Sequence, residues 1–185
     1  MMITAKGYAA QTAESPLTPW QFERREVGAH DVQIEILYCG VCHTDIHLTR
    51  NEWFEGIFPM VPGDEIVGRI SALGAHASKF NIGDLGGVGV MVDSYRECPD
   101  CKNGQEQFCS VASVQTYNNL GHDGRPVYGG YSNTIVVHED FVHRISENLD
   151  LAGVELIDIK DIHTAYDRMQ KGGVRYRFVI DMKTL

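Results

Sequence analysis

The sequence predicts a mainly β fold, a barrel or sandwich of short strands joined by long loops, with a few short helices. Three observations carry that reading. Nineteen glycines in 185 residues fall in short clusters between β-branched runs, the punctuation expected of short strands and turns. Several runs alternate apolar and polar residues, the period of a half-buried strand. A sustained helical period occurs in one stretch near the end of the sequence. The length fits one domain of ordinary size.

In Val32–Leu37, Val32, Ile34 and Ile36 would face one side and Gln33 and Glu35 the other. Ile66–Leu73 reads as a second strand. Gly83–Val92 reads as a third, its glycines marking a bend or a close backbone approach. Tyr131–His138 follows the Gly129-Gly130 turn and reads as a fourth. A short helix can run from Cys42 to Thr49 after the Gly40 turn. The clearest helix is Asp158–Gln170, where Ile159, Ile162, Tyr166 and Met169 form one apolar stripe and Gly172-Gly173 supplies the stop. Val174–Ile180 alternates into a final strand. There is no internal repeat, no linker, no glycine-rich strand-to-helix turn of the dinucleotide-binding kind and no βαβ series to hold one.

Apolar residues make up 43% and charged residues 22%, enough to bury a core without disulfides or metal. The 16 basic and 25 acidic side chains give a net charge of −9. That balance excludes a nucleic-acid binder, since no basic excess exists to displace counterions from phosphates. No apolar run approaches the ~20 residues that cross a bilayer, so no membrane partner is expected. Met1–Tyr8 carries no apolar signal region, which sets the expectation of a cytoplasmic protein. Five cysteines, an odd number without a signal peptide, argue against a disulfide framework and for metal.

Three stretches concentrate the chemistry. Gly40–His47 holds Cys42, His43, Thr44, Asp45 and His47. Val61–Gly68 places Asp64 and Glu65 in a turn before a strand. Cys98 and Cys101, followed by Cys109, have the spacing of a thiolate zinc lobe. Cys39, beside a strand end, reads as a small buried core residue. His30, His76, His122 and His163 read as surface or loop residues.

Together these stretches resemble the catalytic domain of zinc-dependent medium-chain alcohol dehydrogenases, in the cinnamyl-alcohol-dehydrogenase-like branch. Tyr38–Asp45, Asn51–Trp53, Pro59–Gly63, Gly129–Ser132 and Tyr176–Asp181 carry the resemblance, in the family's order and over nearly the whole chain. It implies a GroES-like, partly open β-barrel carrying zinc and a small-molecule substrate. It also implies a Rossmann domain for NADP, entered and left midway through the chain. Ile145–Gly153 resembles the exit from the β domain and Val154–Ile159 the return. The resemblance therefore divides residues 1–185 into an N-terminal part, 1–153, and a return segment, 154–185, with the cofactor domain missing at about 153/154.

The same resemblance implies the site residues. Cys42 matches the first ligand of the catalytic zinc, and Asp64 stands where a histidine ligand is expected. Glu65 matches a neighbouring glutamate that can reach the metal, and the third family ligand would lie in the missing segment. Asp45 matches an aspartate that orients the histidine ligand. Facing Asp64 instead, it is expected to titrate as one of a coupled carboxyl pair with one pKa raised. Thr44 and His47 match a relay that passes the substrate proton to solvent, and Trp53 matches an aromatic of the substrate pocket. Without zinc, those three would read as a polar turn and a packed aromatic. Cys98, Cys101 and Cys109 match three of four cysteines in a second zinc lobe, with Tyr95 at the first position. A phenol is a poor zinc ligand beside thiolates, so water or Asp100 would complete the shell. One or two zinc ions per chain are expected. Gly86, where the family tends to carry valine, either relaxes a strand or enlarges a pocket. His143 is either a satisfied histidine or an additional ligand.

Asp64, Tyr95 and the missing segment depart from the pattern together, which points to an engineered, truncated artificial metalloenzyme. Three functions compete. An NADP-linked alcohol and aldehyde oxidoreductase requires the cofactor domain to be supplied. An open zinc site that acts as a Lewis acid or activates water would perform hydrolysis or carbonyl chemistry, with Asp64 or His47 as base. A non-catalytic zinc scaffold needs only the cysteine lobe. Surface exposed where the second domain would dock is expected to drive homo-oligomerisation.

Overall fold

The computed structural model describes residues 2–149 and 155–185. The expected junction at about 153/154 lies outside the described residues. The chain opens on a hairpin that the sequence pattern did not reveal, β1 (Ile3–Ala9) against β2 (Thr18–Arg24), with Ile3 opposite Arg24 and Ala9 opposite Thr18. Along β1 the buried residues are Ala5, Gly7 and Ala9. These small side chains carry too little apolar area for the alternation to stand out.

β3 (Asp31–Gly40) organises the rest. Val32, Ile34 and Ile36 are buried as their alternation predicts. After α1 (His43–Thr49), β4 (Ile66–Leu73) pairs antiparallel with β3, with register shifts between Gln33/Ile34 and Ile36/Tyr38. Such shifts bend a strand and increase its twist. The Gly83–Val92 stretch is not one strand. It divides into β5 (Leu85–Val88), which pairs with β4, and β6 (Met91–Asp93), which lies in a separate ribbon. The chain turns at Gly89-Val90, where the Thr116 N–H donates to the Val90 carbonyl at 2.8 Å. Gly86 is packed closely: a Cβ built on it would stand 2.8 Å from Val142 Cγ1. It therefore serves a tight strand contact and opens no pocket.

A small lobe follows, with α2 (Pro99–Lys102), β7 (Val114–Gln115), β8 (Asn119–Leu120) and β9 (Pro126–Val127); β6 pairs with β7 and β8 with β9. The expected Tyr131–His138 strand then serves two sheets in succession. At its start it lies against β1, with the Tyr8 N–H donating to the Tyr131 carbonyl and the Asn133 N–H to the Lys6 carbonyl, both at 2.9 Å. Its remainder, β10 (Thr134–His138), pairs with the first half of β3. A strand that changes sheets makes a corner, and this one joins the hairpin to the main sheet in a partly open arrangement of the kind the resemblance implies.

β11 (His143–Arg144) closes one side of the sheet against β5 and leaves His143 exposed. At the other side, β12 (Glu155–Asp158) and β13 (Phe178–Asp181) run parallel. Between them stand a 3-10 turn at Ile159–Asp161 and α3 (Ile162–Gln170), so the expected helix over 158–170 starts later than its periodicity suggested. Its stripe of Ile159, Ile162, Tyr166 and Met169 is buried, and Gly172 at φ +67° ends it. The expected strand over 174–180 shortens to β13, and β12 was not foreseen. Among the described residues one βαβ unit is therefore present, without a glycine-rich turn. The main sheet runs β11-β5-β4-β3-β13-β12, with β10 sharing the β13 side of β3. β13 meets the last residues of β3, Val179 opposite Gly40, and so reaches the point where the metal-binding candidates begin.

Gly63 illustrates how tightly that region is packed. Its φ is +103°, and an added Cβ would stand 2.7 Å from the Tyr131 ring and 2.8 Å from Cys39 Sγ. A left-handed penalty of ~1–2 kcal/mol adds to overpacking of ~1–3 kcal/mol. Gly63→Ala is therefore expected to lower the unfolding free energy by ~2–5 kcal/mol in urea denaturation, whereas Gly104→Ala, with open space around it, meets only the first penalty.

Candidate metal centre

Cys42 caps α1 in an extended conformation, and Asp45 at the third helical position reaches back so that Oδ2 accepts from the Cys42 N–H at 2.8 Å. The same carboxylate accepts from the Gly63 N–H at 2.9 Å through Oδ1 and from the Tyr131 hydroxyl at 3.0 Å through Oδ2. Asp45 is fully buried. Through it, the helix start, the Pro62–Glu65 loop and the Gly129–Ser132 corner are fixed together. The loop is tied to the corner again by the Gly129, Gly130 and Tyr131 N–H groups, which donate to the Val61, Gly63 and Pro62 carbonyls at 2.7–3.0 Å.

This placement brings Cys42, Asp64 and Glu65 together, their ligand atoms all within 4.8 Å of one another. Zinc accepts thiolate sulfur at ~2.3 Å and carboxylate oxygen at ~2.0–2.2 Å, so one thiol and two carboxylates fit its donor preferences after small side-chain adjustments. Glu65 already has a counter-charge, since Arg177 Nη1 lies 2.9 Å from its Oε1. Gly40 makes room for it; a Cβ there would stand 2.2 Å from Glu65 Oε2.

Burial, and then the charge of Asp64, push the Asp45 pKa up to about 7; the backbone and tyrosine donors pull it down without prevailing. Asp64 is also raised, first by burial and then by Glu65, with Arg177 acting in the other direction. Like-charge repulsion is thus present, as the sequence suggested, but burial is the larger cause in both groups.

Thr44, Trp53, Asp64 and the buried Tyr117 line a cleft of about 360 Å³. Thr44 Oγ1 accepts from the Cys42 thiol at 3.4 Å. His47 lies elsewhere: its Nδ1 is 2.5 Å from Glu52 Oε2 and its ring stacks on Trp53 with centroids 4.4 Å apart. No hydrogen bond joins Thr44 to His47 among the described residues. Tyr131, Tyr117, Glu52 and Arg177 complete the site and were not singled out in the sequence. Each arrives from a distant segment or faces a turn whose geometry no spacing reveals.

The second group, Cys98, Cys101 and Cys109, also has its sulfurs within 4.8 Å of one another. Cys98 Sγ lies 3.3 Å from Cys101 Sγ and 4.0 Å from Cys109 Sγ, and Ser94 Oγ is 3.4 Å from Cys101 Sγ. Backbone N–H groups of Ala112, Tyr95 and Val111 hold the Cys109 thiol down at about 6, a setting that favours thiolate. The Tyr95 side chain is exposed. His143 belongs to neither group among the described residues, and Cys39 is buried in the core as expected.

Comparison with known proteins agrees with this architecture. Residues 28–147 match the model of the alcohol dehydrogenase GroES-like domain. The chain is 46% identical over 149 residues to "Probable cinnamyl alcohol dehydrogenase 6" of Arabidopsis thaliana, covering 80% of this chain and 41% of that protein. It is 47% identical over 150 residues to the NADP-dependent alcohol dehydrogenase C of Mycobacterium bovis, covering 81% and 43%. The crystal structure of a cinnamyl alcohol dehydrogenase from Helicobacter pylori complexed with NADP(H) superposes with a TM-score of 0.79 at 47% identity, covering 82% of this chain and 44% of that one. The chain thus spans about two fifths of the length of the relatives it matches.

In metal-free protein the Asp45 shift makes stability depend on pH. The folded pKa of about 7 exceeds the ordinary value of 3.8, so the folded state holds this proton more tightly than the unfolded chain. Its contribution is fully present below pH 4 and is lost as pH rises through about 7. Urea midpoints of chelator-treated protein are expected to fall between pH 5 and 8 relative to Asp45→Asn, which has no such proton; parallel profiles would contradict the shift.

Proposed function

Because the chain belongs to the alcohol dehydrogenase GroES-like domain family, we propose that it is the metal- and substrate-binding part of a zinc-type alcohol dehydrogenase catalyst, built around a reshaped Cys42, Asp64 and Glu65 centre. The observation that carries this reading is the convergence of those three donors within 4.8 Å at a cleft that Asp64 shares with Thr44 and Trp53. Zinc supplies Lewis acidity, polarising a carbonyl or hydroxyl oxygen and acidifying water.

The protein groups divide the remaining work. Asp45 holds Cys42 and the Asp64 loop in register. Thr44 Oγ1, which accepts from the Cys42 thiol at 3.4 Å, is free to bond a substrate hydroxyl once that thiol is deprotonated. Trp53 presents an aromatic face to a small organic substrate, braced from behind by His47. Asp64 serves as a ligand and borders the cleft, so its free oxygen can accept a proton there. Glu65 carries a charge already balanced by Arg177.

Hydride transfer needs a nicotinamide held against the reacting carbon. The relatives' names supply NADP as the cofactor of this reading, and the described residues offer no glycine-rich strand-to-helix turn to bind it. The chain alone is therefore assigned Lewis-acid carbonyl chemistry or ester hydrolysis, and oxidoreduction is assigned to assemblies that add a nucleotide-binding domain. A scaffold reading rests on the cysteine lobe alone and leaves the Cys42 cluster without a purpose.

Elemental analysis after zinc loading is expected to give about two ions per chain, one for each three-donor cluster, falling to about one in Cys42→Ala and in Cys109→Ser. Hydrolysis of p-nitrophenyl acetate should vanish on chelation, return with zinc, and be absent from Cys42→Ala but present in Cys109→Ser. Equal hydrolysis by Cys42→Ala and the parent would refute the reading. NADPH oxidation with an aldehyde is expected to stay at background for the chain alone.

A further inference from the structure

The cysteine lobe brings three thiols within reach of one another and exposes them unequally. Cys98 Sγ lies 3.3 Å from Cys101 Sγ and 4.0 Å from Cys109 Sγ. Cys98 and Cys101 are buried, whereas Cys109 is half-buried. Local bonds fix this arrangement. The Cys101 N–H donates to Cys98 Sγ at 3.5 Å across the start of α2. The Gln105 N–H donates to the Asp100 carbonyl at 2.9 Å, and the Cys109 N–H to the Glu106 carbonyl at 2.9 Å, folding the loop back onto the helix. Phe108 and Val111, close to Cys109 in the chain, are exposed, so Cys109 stands on the solvent side of the lobe.

The two buried thiols differ in what holds them. Cys101 Sγ also has the buried Ser94 hydroxyl at 3.4 Å, whereas the polar contacts of Cys98 Sγ are the other two sulfurs and the Cys101 N–H. Cys98 is therefore the freer of the two to turn toward Cys109. A disulfide needs its sulfurs at about 2.05 Å, so each sulfur of the Cys98 and Cys109 pair has to move by about 1 Å, a step that side-chain rotation supplies. The remaining cysteines lack such a neighbour. The Cys39 thiol is fully buried and donates to the Gly40 carbonyl, and the Cys42 thiol donates to Thr44 Oγ1. Among the described residues neither has a hydrogen bond to another sulfur.

We propose that the lobe is a site of reversible oxidation by hydroperoxides, with Cys109 as the thiol attacked and Cys98 as the thiol that resolves it. The Cys109 sulfur attacks one oxygen of hydrogen peroxide. An S–O bond forms, the O–O bond breaks, and the departing oxygen leaves as water with the thiol proton. The product is a sulfenic acid. The Cys98 sulfur then attacks the Cys109 sulfur, an S–S bond forms, the S–O bond breaks, and a second water leaves with the Cys98 proton. Two thiols lose two electrons and one peroxide is reduced to two waters. The disulfide removes two of the lobe's three thiolate donors, so a metal ion held there is released. A dithiol reductant restores both thiols by exchange. Nothing in this sequence of steps depends on the Cys42 centre.

The test exposes the chelator-treated full chain to hydrogen peroxide, alkylates the remaining thiols after denaturation, and maps the peptides by mass spectrometry with and without a dithiol reductant. The expected product is a Cys98–Cys109 disulfide with Cys39, Cys42 and Cys101 still alkylated, and all five thiols return on reduction. Cys109→Ser is expected to form no disulfide in the lobe over the same exposure. Cys98→Ser is expected to accumulate a Cys109 sulfenic acid that dimedone traps. In the zinc-loaded chain, peroxide should release about one ion from the parent and from Cys42→Ala alike, which separates this result from the fate of the Cys42 centre. A Cys98–Cys101 disulfide formed at the parent's rate in Cys109→Ser overturns the proposal. So does oxidation of Cys42 ahead of Cys109, or conversion of Cys109 to sulfinic acid with no disulfide. Should either serine variant fail to fold, the peptide map of the parent decides by itself.

Discussion

One buried carboxylate holds the site's three chain segments in place. Asp45 accepts from the N–H of Cys42, the N–H of Gly63 and the hydroxyl of Tyr131, and these donors come from the helix start, the ligand loop and the sheet corner. Burying a carboxylate is expensive, and three hydrogen bonds offset that cost only while every segment is correctly placed. The same group therefore registers the geometry and stores the penalty if a segment moves. Gly63 shows the constraint from the other side, because its backbone must come within reach of Asp45 in a conformation that only glycine adopts freely.

The two donor clusters differ in chemistry. Cys42, Asp64 and Glu65 combine one soft and two hard donors, an arrangement that leaves coordination positions for small ligands. Cys98, Cys101 and Cys109 are all soft, sit on a short lobe, and have a thiol favoured as thiolate by backbone donors. The lobe is built from local contacts, whereas the Cys42 centre depends on contacts across the sheet. A perturbation of β3 or of the Gly129–Ser132 corner thus reaches the centre at Cys42 before it reaches the lobe.

How far the sequence could be read follows from this difference. The clustering of the lobe's thiols was legible from cysteine spacing alone because Cys98, Cys101 and Cys109 are close in the chain. Cys42, Asp45 and Thr44 were legible as a group for the same reason, and Asp64 and Glu65 joined them through the family resemblance. Val32, Ile34 and Ile36 announced β3 by alternation. The β1–β2 hairpin stayed hidden because its buried positions are alanine and glycine. Tyr131–His138 looked like one strand because no local pattern marks a change of sheet. His47 was read as a relay residue through the resemblance, and its contact between Nδ1 and Glu52, brought round by the turn after α1, had no signal in the spacing.

The central claim is that Cys42 and its carboxylate neighbours share one cation in the place Asp45 prepares for them. The most direct measurement is zinc K-edge X-ray absorption on the zinc-loaded parent chain, compared with zinc-loaded Cys42→Ala. The difference between the two spectra should contain one sulfur at about 2.3 Å with oxygen neighbours at about 2.0–2.2 Å. A difference with no sulfur neighbour, or with oxygen from water alone, would contradict the account.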